Sequence, residues 1–122
     1  MKNILIFLLI SFFSFNSFAE WEHLYKDKKA DNWYIDFTKI KRVNDHVFYQ
    51  TLVDHSNNKE FPSTITNHQG DCNTFEWKMT HITFFSDNMA KGRLSSEKIN
   101  NDFSKVDQNT ILGFLLKSVC EN

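Results

Sequence analysis

An apolar run near the start of the chain decides where the rest must fold, and so what can hold it together. Residues Ile4 to Phe13 are hydrophobic except for Ser11, with Lys2 before them and Ser17-Phe18-Ala19 after. A basic residue, a short apolar stretch and small residues at the −3 and −1 positions are the three zones of a secretion leader. The reading is a cleavable signal peptide over residues 1–19, cut between Ala19 and Glu20. A membrane-spanning helix would need roughly 20 predominantly apolar residues, and Ser14, Asn16 and Ser17 interrupt this run too early. The chain is then exported by the Sec pathway, to the periplasm or onward to the cell surface and medium. No cysteine stands at the new N-terminus, so lipid attachment there is not expected.

Export gives the two cysteines, Cys72 and Cys120, an oxidising surrounding. With only two, a single intramolecular pairing exists. A free thiol pair or a bridge between chains would be the alternatives, and neither has a Cys-x-x-Cys motif or an odd cysteine to support it. Residues 20–122 are enough for one domain and too few for two. A domain so small buries only a little over 60 per cent of its unfolded surface, so a covalent staple matters. Closing the loop between these cysteines stabilises the fold by about 4 kcal/mol in the chain-entropy picture.

Without Lys2, the 14 basic residues become 13 against 15 acidic ones, a formal net charge of −2. So nearly neutral a domain has no general attraction to nucleic acid or to an anionic membrane surface. Nothing after residue 19 is hydrophobic enough to insert stably in a bilayer.

Pro62 and the glycines Gly70, Gly92 and Gly113 are the only strong breakers after the leader, so turns fall to Asn and Asp. Asn44-Asp45, Ser56-Asn57-Asn58 and Asp87-Asn88 are the expected turns. Between them the pattern has period two. Trp33, Ile35 and Phe37 alternate with polar or mixed neighbours, and Val47, Tyr49, Thr51 and Val53 share a face. The opposite face, His46 to Asp54, is partly apolar, as a central strand would be. Asn73 to Phe85 is the longest candidate, with Phe75, Trp77 and Met79 in phase and a bulge or bend expected near Ile82. Trp21 to Tyr25, Thr64 to His68 and Gly92 to Ser95 are weaker strands.

The C-terminus changes to a helical period, with Ile111, Leu112, Leu115, Leu116 and Val119 on one arc. Gly113 and Lys117 fall opposite, and Asn109 is the expected N-cap. A helix so short needs a partner to be stable. The expected fold is α+β: an antiparallel sheet of about five to six strands, one C-terminal helix packed on it, and one disulfide. One helix cannot cover both sheet faces. Aromatics among Trp21, Trp33, Tyr34, Tyr49 and Trp77 should then line the uncovered side, with Trp33, Tyr34, Tyr49 and Trp77 as the candidate binding surface. The alternatives are a dimer through that face or a sheet that curls over and buries it.

No catalytic or metal constellation emerges. The histidines His23, His46, His55, His68 and His81 lack the paired spacing of a zinc site and read as scattered surface or rim residues. Asp54 and His55 are neighbours on a strand and point to opposite faces, so they cannot act as a dyad. No Gly-x-Ser-x-Gly elbow is present. The reading is non-enzymatic, with no cofactor. Lys26 to Asp31 reads as a solvated loop. Lys39, Lys41 and Arg42 form the one basic cluster, suited to a sulfated glycan, an acidic protein surface, or simply an edge that resists aggregation.

Several short elements follow one another along the chain: Trp21, Trp33-Tyr34-Ile35-Asp36 leading to Thr38-Lys39-Ile40, Val47 to Asp54, Asp71-Cys72, Met89 to Gly92, Asn109 and Val119-Cys120. On these the chain resembles the surface-adhesin protein E family of Gram-negative bacteria over almost its full mature length, making residues 20–122 an adhesin E-like domain. The resemblance implies an antiparallel sheet backed by a C-terminal helix, a Cys72–Cys120 bridge and homodimerisation. For adhesive members it also implies binding to host extracellular-matrix proteins. Ala90 and Asp107-Gln108 depart from the family's usual glycine and proline. A periplasmic accessory, inhibitor or immunity-type protein that binds a bacterial partner is the alternative function.

Overall fold

The computed structural model describes residues 19–122. The expected leader therefore lies outside the described residues except for Ala19. Eight strands form one antiparallel sheet: β1 Glu22–Lys26, β2 Asn32–Ile35, β3 Lys41–Val43, β4 His46–Asp54, β5 Ser63–Asp71, β6 Glu76–Phe85, β7 Arg93–Lys98 and β8 Ser104–Lys105. A 3-10 turn, Phe37–Lys39, separates β2 from β3, and the helix α1 spans Ile111–Glu121. The sheet has more strands than the five or six expected: its continuous path runs β1-β2-β4-β5-β6-β7, and β3 and β8 lie off that path. The extra strands arise because both long edges change partner partway. β2 and β3 follow one another along the edge of β4, and β7 and β8 along the edge of β6.

The turns sit where Asn and Asp predicted them. Asn44 takes a left-handed φ of 56° between β3 and β4, a conformation asparagine tolerates. Asn58 accepts from the N–H groups of Glu60 and Phe61 after β4. The long strand begins later than expected, at Glu76, because residues 72–75 form a turn. There Asp71 accepts from the N–H groups of Asn73 and Thr74, and Phe75 has a φ of 56°. The break in phase expected near Ile82 falls two residues earlier. His68 pairs with Met79 and Asn67 with His81, so Thr80 is an extra, bulged residue.

Helix α1 starts one residue later than expected: Thr110, not Asn109, is the N-cap, and its hydroxyl accepts from Gly113 N–H. Leu115, Leu116 and Val119 are buried as the wheel required, but so is Gly113. A Cβ at Gly113 would lie 2.0 Å from the carbonyl oxygen of Asp107, so this position faces the approaching chain and not solvent. Leu116 and Val119 join Ile35, Val47 and Tyr49 in the core, flanked by Trp77, Phe75 and the disulfide cysteines. Gly70 is the socket: a Cβ there would be 2.2 Å from Leu116 Cδ1. The Cys72–Cys120 bridge, with an S–S distance of 2.07 Å, ties the end of the helix to the start of the β5–β6 turn.

Candidate binding groove

Strand β4 has a gap along one edge. β2 pairs with Thr51 to Asp54 and β3 with His46 to Phe48, leaving Tyr49 and Gln50 with neither opposite them. The connecting chain swings outward as the 3-10 turn, organised by Asp36. This carboxylate is 2 % exposed and caps the turn by accepting from Thr38 N–H and the Thr38 hydroxyl. Burial works against its charge, but the hydrogen bonds from Thr38 and from Glu20 N–H, with Lys39 nearby, hold the Asp36 carboxyl below the usual carboxylate range.

Between that turn and the sheet lies a groove of about 580 Å³. Thr38, Lys39, Ile40 and Lys41 line its wall, and Phe48, Gln50, Asn67 and Thr80 are among the residues of its floor. Gln50 and Asn67 are cross-strand partners, and Gln50 Nε2 donates to Asn67 Oδ1 at 3.1 Å. That bond leaves Gln50 Oε1 as an acceptor and Asn67 Nδ2 as a donor without partners among the described residues. The next row of the same face runs Lys41, Phe48, Gln69, Lys78 across four strands, about 14 Å at the usual strand spacing. Lys78 Nζ lies 4.8 Å from the Phe103 ring centre. Two lysines and no acidic residue line the groove, so its field favours an anion.

The basic cluster seen in the sequence is divided by strand alternation. Lys41 stands on the groove face with Phe48, whereas Arg42 is opposite Val47 on the helix face. Its guanidinium donates to the backbone oxygens of Val119, Cys120 and Asn122, where a cation complements the helix dipole.

The four aromatics expected to share an open surface are divided: Tyr49 and Trp77 belong to the core, and Trp33 and Tyr34 point to opposite faces of β2. Tyr49 is 3 % exposed, stacked on His68 with ring centres 4.8 Å apart, beneath the helix. Trp77 packs against that core and donates its indole N–H to His68 Nδ1 at 2.8 Å. Trp33 lies on the same face as Val53 and donates to Asp27 at 3.1 Å. Tyr34, its neighbour, points the other way, beside His23. The reason is packing: the helix spans only 11 residues, and Tyr49 beneath it, with His68 and Trp77 alongside, completes the core against the sheet. The open face is instead mostly polar, though Leu52 is fully buried there. The loop expected to be solvated is exposed at Lys26, Lys28, Lys29 and Ala30, and Asp27 braces it by accepting from Lys29 and Asp31 N–H as well as from Trp33.

His68 corrects the reading of all five histidines as surface residues, since it is 3 % exposed. An indole N–H only donates, so Nδ1 must accept and Nε2 must carry the proton. Nε2 then donates to Thr51 Oγ1 at 2.7 Å. This orientation is the reverse of a base activating a hydroxyl, and burial pushes the imidazole down to about 3. The pair is structural. Among the described residues no group of three or more His, Cys, Asp or Glu side chains is arranged to hold a metal ion. No described helix is long and apolar enough to cross a membrane.

The groove residues Phe48, Gln50, Asn67, Thr38 and Thr80 were missed in the sequence. Their parity on β4 was visible, but the gap that exposes them depends on which strands pair. No curated protein matches the chain. The family described as surface-adhesin protein E matches residues 21–121, a span that contains every strand, the helix and both bridged cysteines. The chain belongs to the surface-adhesin protein E family.

Proposed function

We propose that the protein is an exported adhesive module that holds an acidic segment of a host extracellular-matrix protein in the groove beside the 3-10 turn. The observation that carries this reading is the arrangement of Lys39 and Lys41 above the Gln50–Asn67 amide pair, with no carboxylate in the lining. Backbone and carboxylate groups of an extended segment would find both donors and an acceptor there, and Phe48 offers an apolar contact. Family membership supports a surface role and a protein partner. In this reading the leader is removed after Ala19 and no cofactor is used.

The test is binding of the purified mature protein to immobilised matrix proteins, together with antibody labelling of intact cells. Lys39→Glu with Lys41→Glu should abolish capture, and raising the salt concentration should weaken the unaltered protein's binding. Capture that ignores both changes, or cells that do not label, would refute adhesion through this groove.

A periplasmic accessory or inhibitor is the second reading. Both cysteines are paired in the disulfide, and among the described residues neither is free to take a lipid. Pull-down from a periplasmic extract should then recover one stoichiometric bacterial partner.

A further inference from the structure

The buried Asp36 carboxylate has a partner from far along the chain. Its Oδ2 accepts from Glu20 N at 2.9 Å, across 16 residues of sequence. Its other oxygen is taken by Thr38 of its own turn. Among the described residues it makes no ion pair with a side chain. Lys39, at the end of the same turn, is exposed and acts on it only through space. A nearly fully buried carboxylate without a counter-charge is uncommon, because removing it from water is costly unless it is paired.

Glu20 is also the residue that the leader's Ser17-Phe18-Ala19 pattern places immediately after the cut. In the unprocessed chain its nitrogen is an amide. Hydrolysis of the Ala19–Glu20 peptide bond adds water across it: the carboxylate leaves with Ala19, and Glu20 keeps a protonated α-amine. We infer that proteolytic maturation occurs between Ala19 and Glu20 and that the α-ammonium it creates is the counter-ion of Asp36. The hydrogen bond from Glu20 N to Asp36 Oδ2 becomes a charge-assisted one, the stronger kind. Ala19 and Glu20 are both exposed, so the peptide bond between them stands at the surface of the described domain.

The pairing reaches the groove. Asp36 caps the turn that carries Thr38 and Lys39, and both line the groove wall. Maturation therefore stiffens the wall on which the proposed partner rests. The inference rests on export as proposed above, but not on the identity of that partner.

The experiment starts from the full chain produced in an exporting cell. Intact mass of the product should correspond to residues 20–122. A second chain with two threonines inserted between Ala19 and Glu20 yields a product in which Glu20 N remains an amide, checked by its mass. Asp36→Asn is then made in both. It should raise the unfolding constant about tenfold more in the native product than in the extended one. Should Asp36→Asn fail to fold, NMR titration of the α-amine in the native product gives an independent reading. Its midpoint should lie above the ordinary value of about 7.7–8.0, and that of the extended product should not. A product that keeps its leader would refute export and this inference together. A product beginning elsewhere, equal effects of Asp36→Asn in both backgrounds, or an α-amine titrating at or below its ordinary value would overturn the inference alone.

Discussion

Trp77 donates its indole N–H to Nδ1 of His68 at 2.8 Å, and this contact decides the state of the most buried histidine in the described chain. Because Nδ1 accepts, Nε2 holds the proton and donates to Thr51, and both donors and acceptors of the imidazole are satisfied without charge. Protonating Nδ1 would break the Trp77 bond and bury a cation.

The first prediction concerns acid stability. The folded pKa of His68 is pushed down to about 3, from an ordinary 6.5, by burial. Between those values the unfolded chain binds a proton that the folded one does not. The stability that His68 contributes is therefore complete above about pH 6.5 and is lost as pH falls toward 3, at up to about 1.4 kcal/mol per pH unit. Chemical denaturation at pH 7 and pH 5 should show this decline, and His68→Gln should flatten it. The depressed carboxyls Asp27, Asp36 and Asp71 add their losses only below about pH 4, outside that comparison. An unchanged midpoint between pH 7 and pH 5 would contradict the buried neutral imidazole.

Removing the indole donor gives a second prediction. Trp77→Phe keeps most of the ring packing but leaves Nδ1 of His68 buried without a partner. The expected loss is about 1–3 kcal/mol, measurable by urea denaturation, and its coupling to His68→Gln should be of similar size. Additive losses would show that the two side chains act independently.

Two glycines should resist alanine for different reasons. Gly70→Ala pushes a methyl group into Leu116 Cδ1, the far end of a flexible side chain, so a loss of about 1–3 kcal/mol is expected from overpacking. Leu116→Ala alone opens a cavity at a cost of about 2–5 kcal/mol, and the double variant should lose less than the two single losses combined. Gly113→Ala would normally favour a helix interior by about 1 kcal/mol, but here it meets the backbone of Asp107 and Gln108. It should lower the thermal midpoint. A rise at Gly113 would mean that the approach to the helix is looser than the structure shows.

The adjacent cations should separate stability from binding. Arg42→Ala removes the donor to the helix carboxyl end and should lower stability by about 1 kcal/mol without touching the groove. Lys41→Ala should leave the midpoint within about 0.5 kcal/mol and weaken capture of the partner. Reduction of the disulfide should cost about 4 kcal/mol, mostly by freeing the unfolded chain. If Arg42→Ala abolished capture while Lys41→Ala did not, the proposed site would be on the wrong face.

Much of this architecture was legible from residue order alone. Tyr49 had the parity of Val47 and Val53, and each of the three is buried. The break in phase expected near Ile82 is flanked by two irregularities, the bulge at Thr80 and a register shift between Phe84 and Phe85. The helix arc predicted Leu115, Leu116 and Val119 inside. The cap slipped from Asn109 to Thr110 because both residue types serve that role, and local preference cannot rank them against the packing of Gly113 on Asp107.

The binding face was not legible in the same way. Aromatic residues suggested an exposed platform, yet Tyr49 and Trp77 are needed to complete a core that one short helix cannot fill. Side-chain parity tells which residues share a face; it does not tell which face the helix covers.

What the sequence determined was local: the single pairing open to two cysteines, the alternation along β4 and the amphipathic arc of α1. What tertiary structure decided was the change of strand partner beside Tyr49 and Gln50, and with it the groove, the inward turn of Arg42 and the burial of His68. The physical reason is that periodicity is set by the geometry of one segment, whereas a gap in a sheet depends on where two distant segments stop pairing. That register follows from the packing of the whole domain, and no single stretch of residues encodes it.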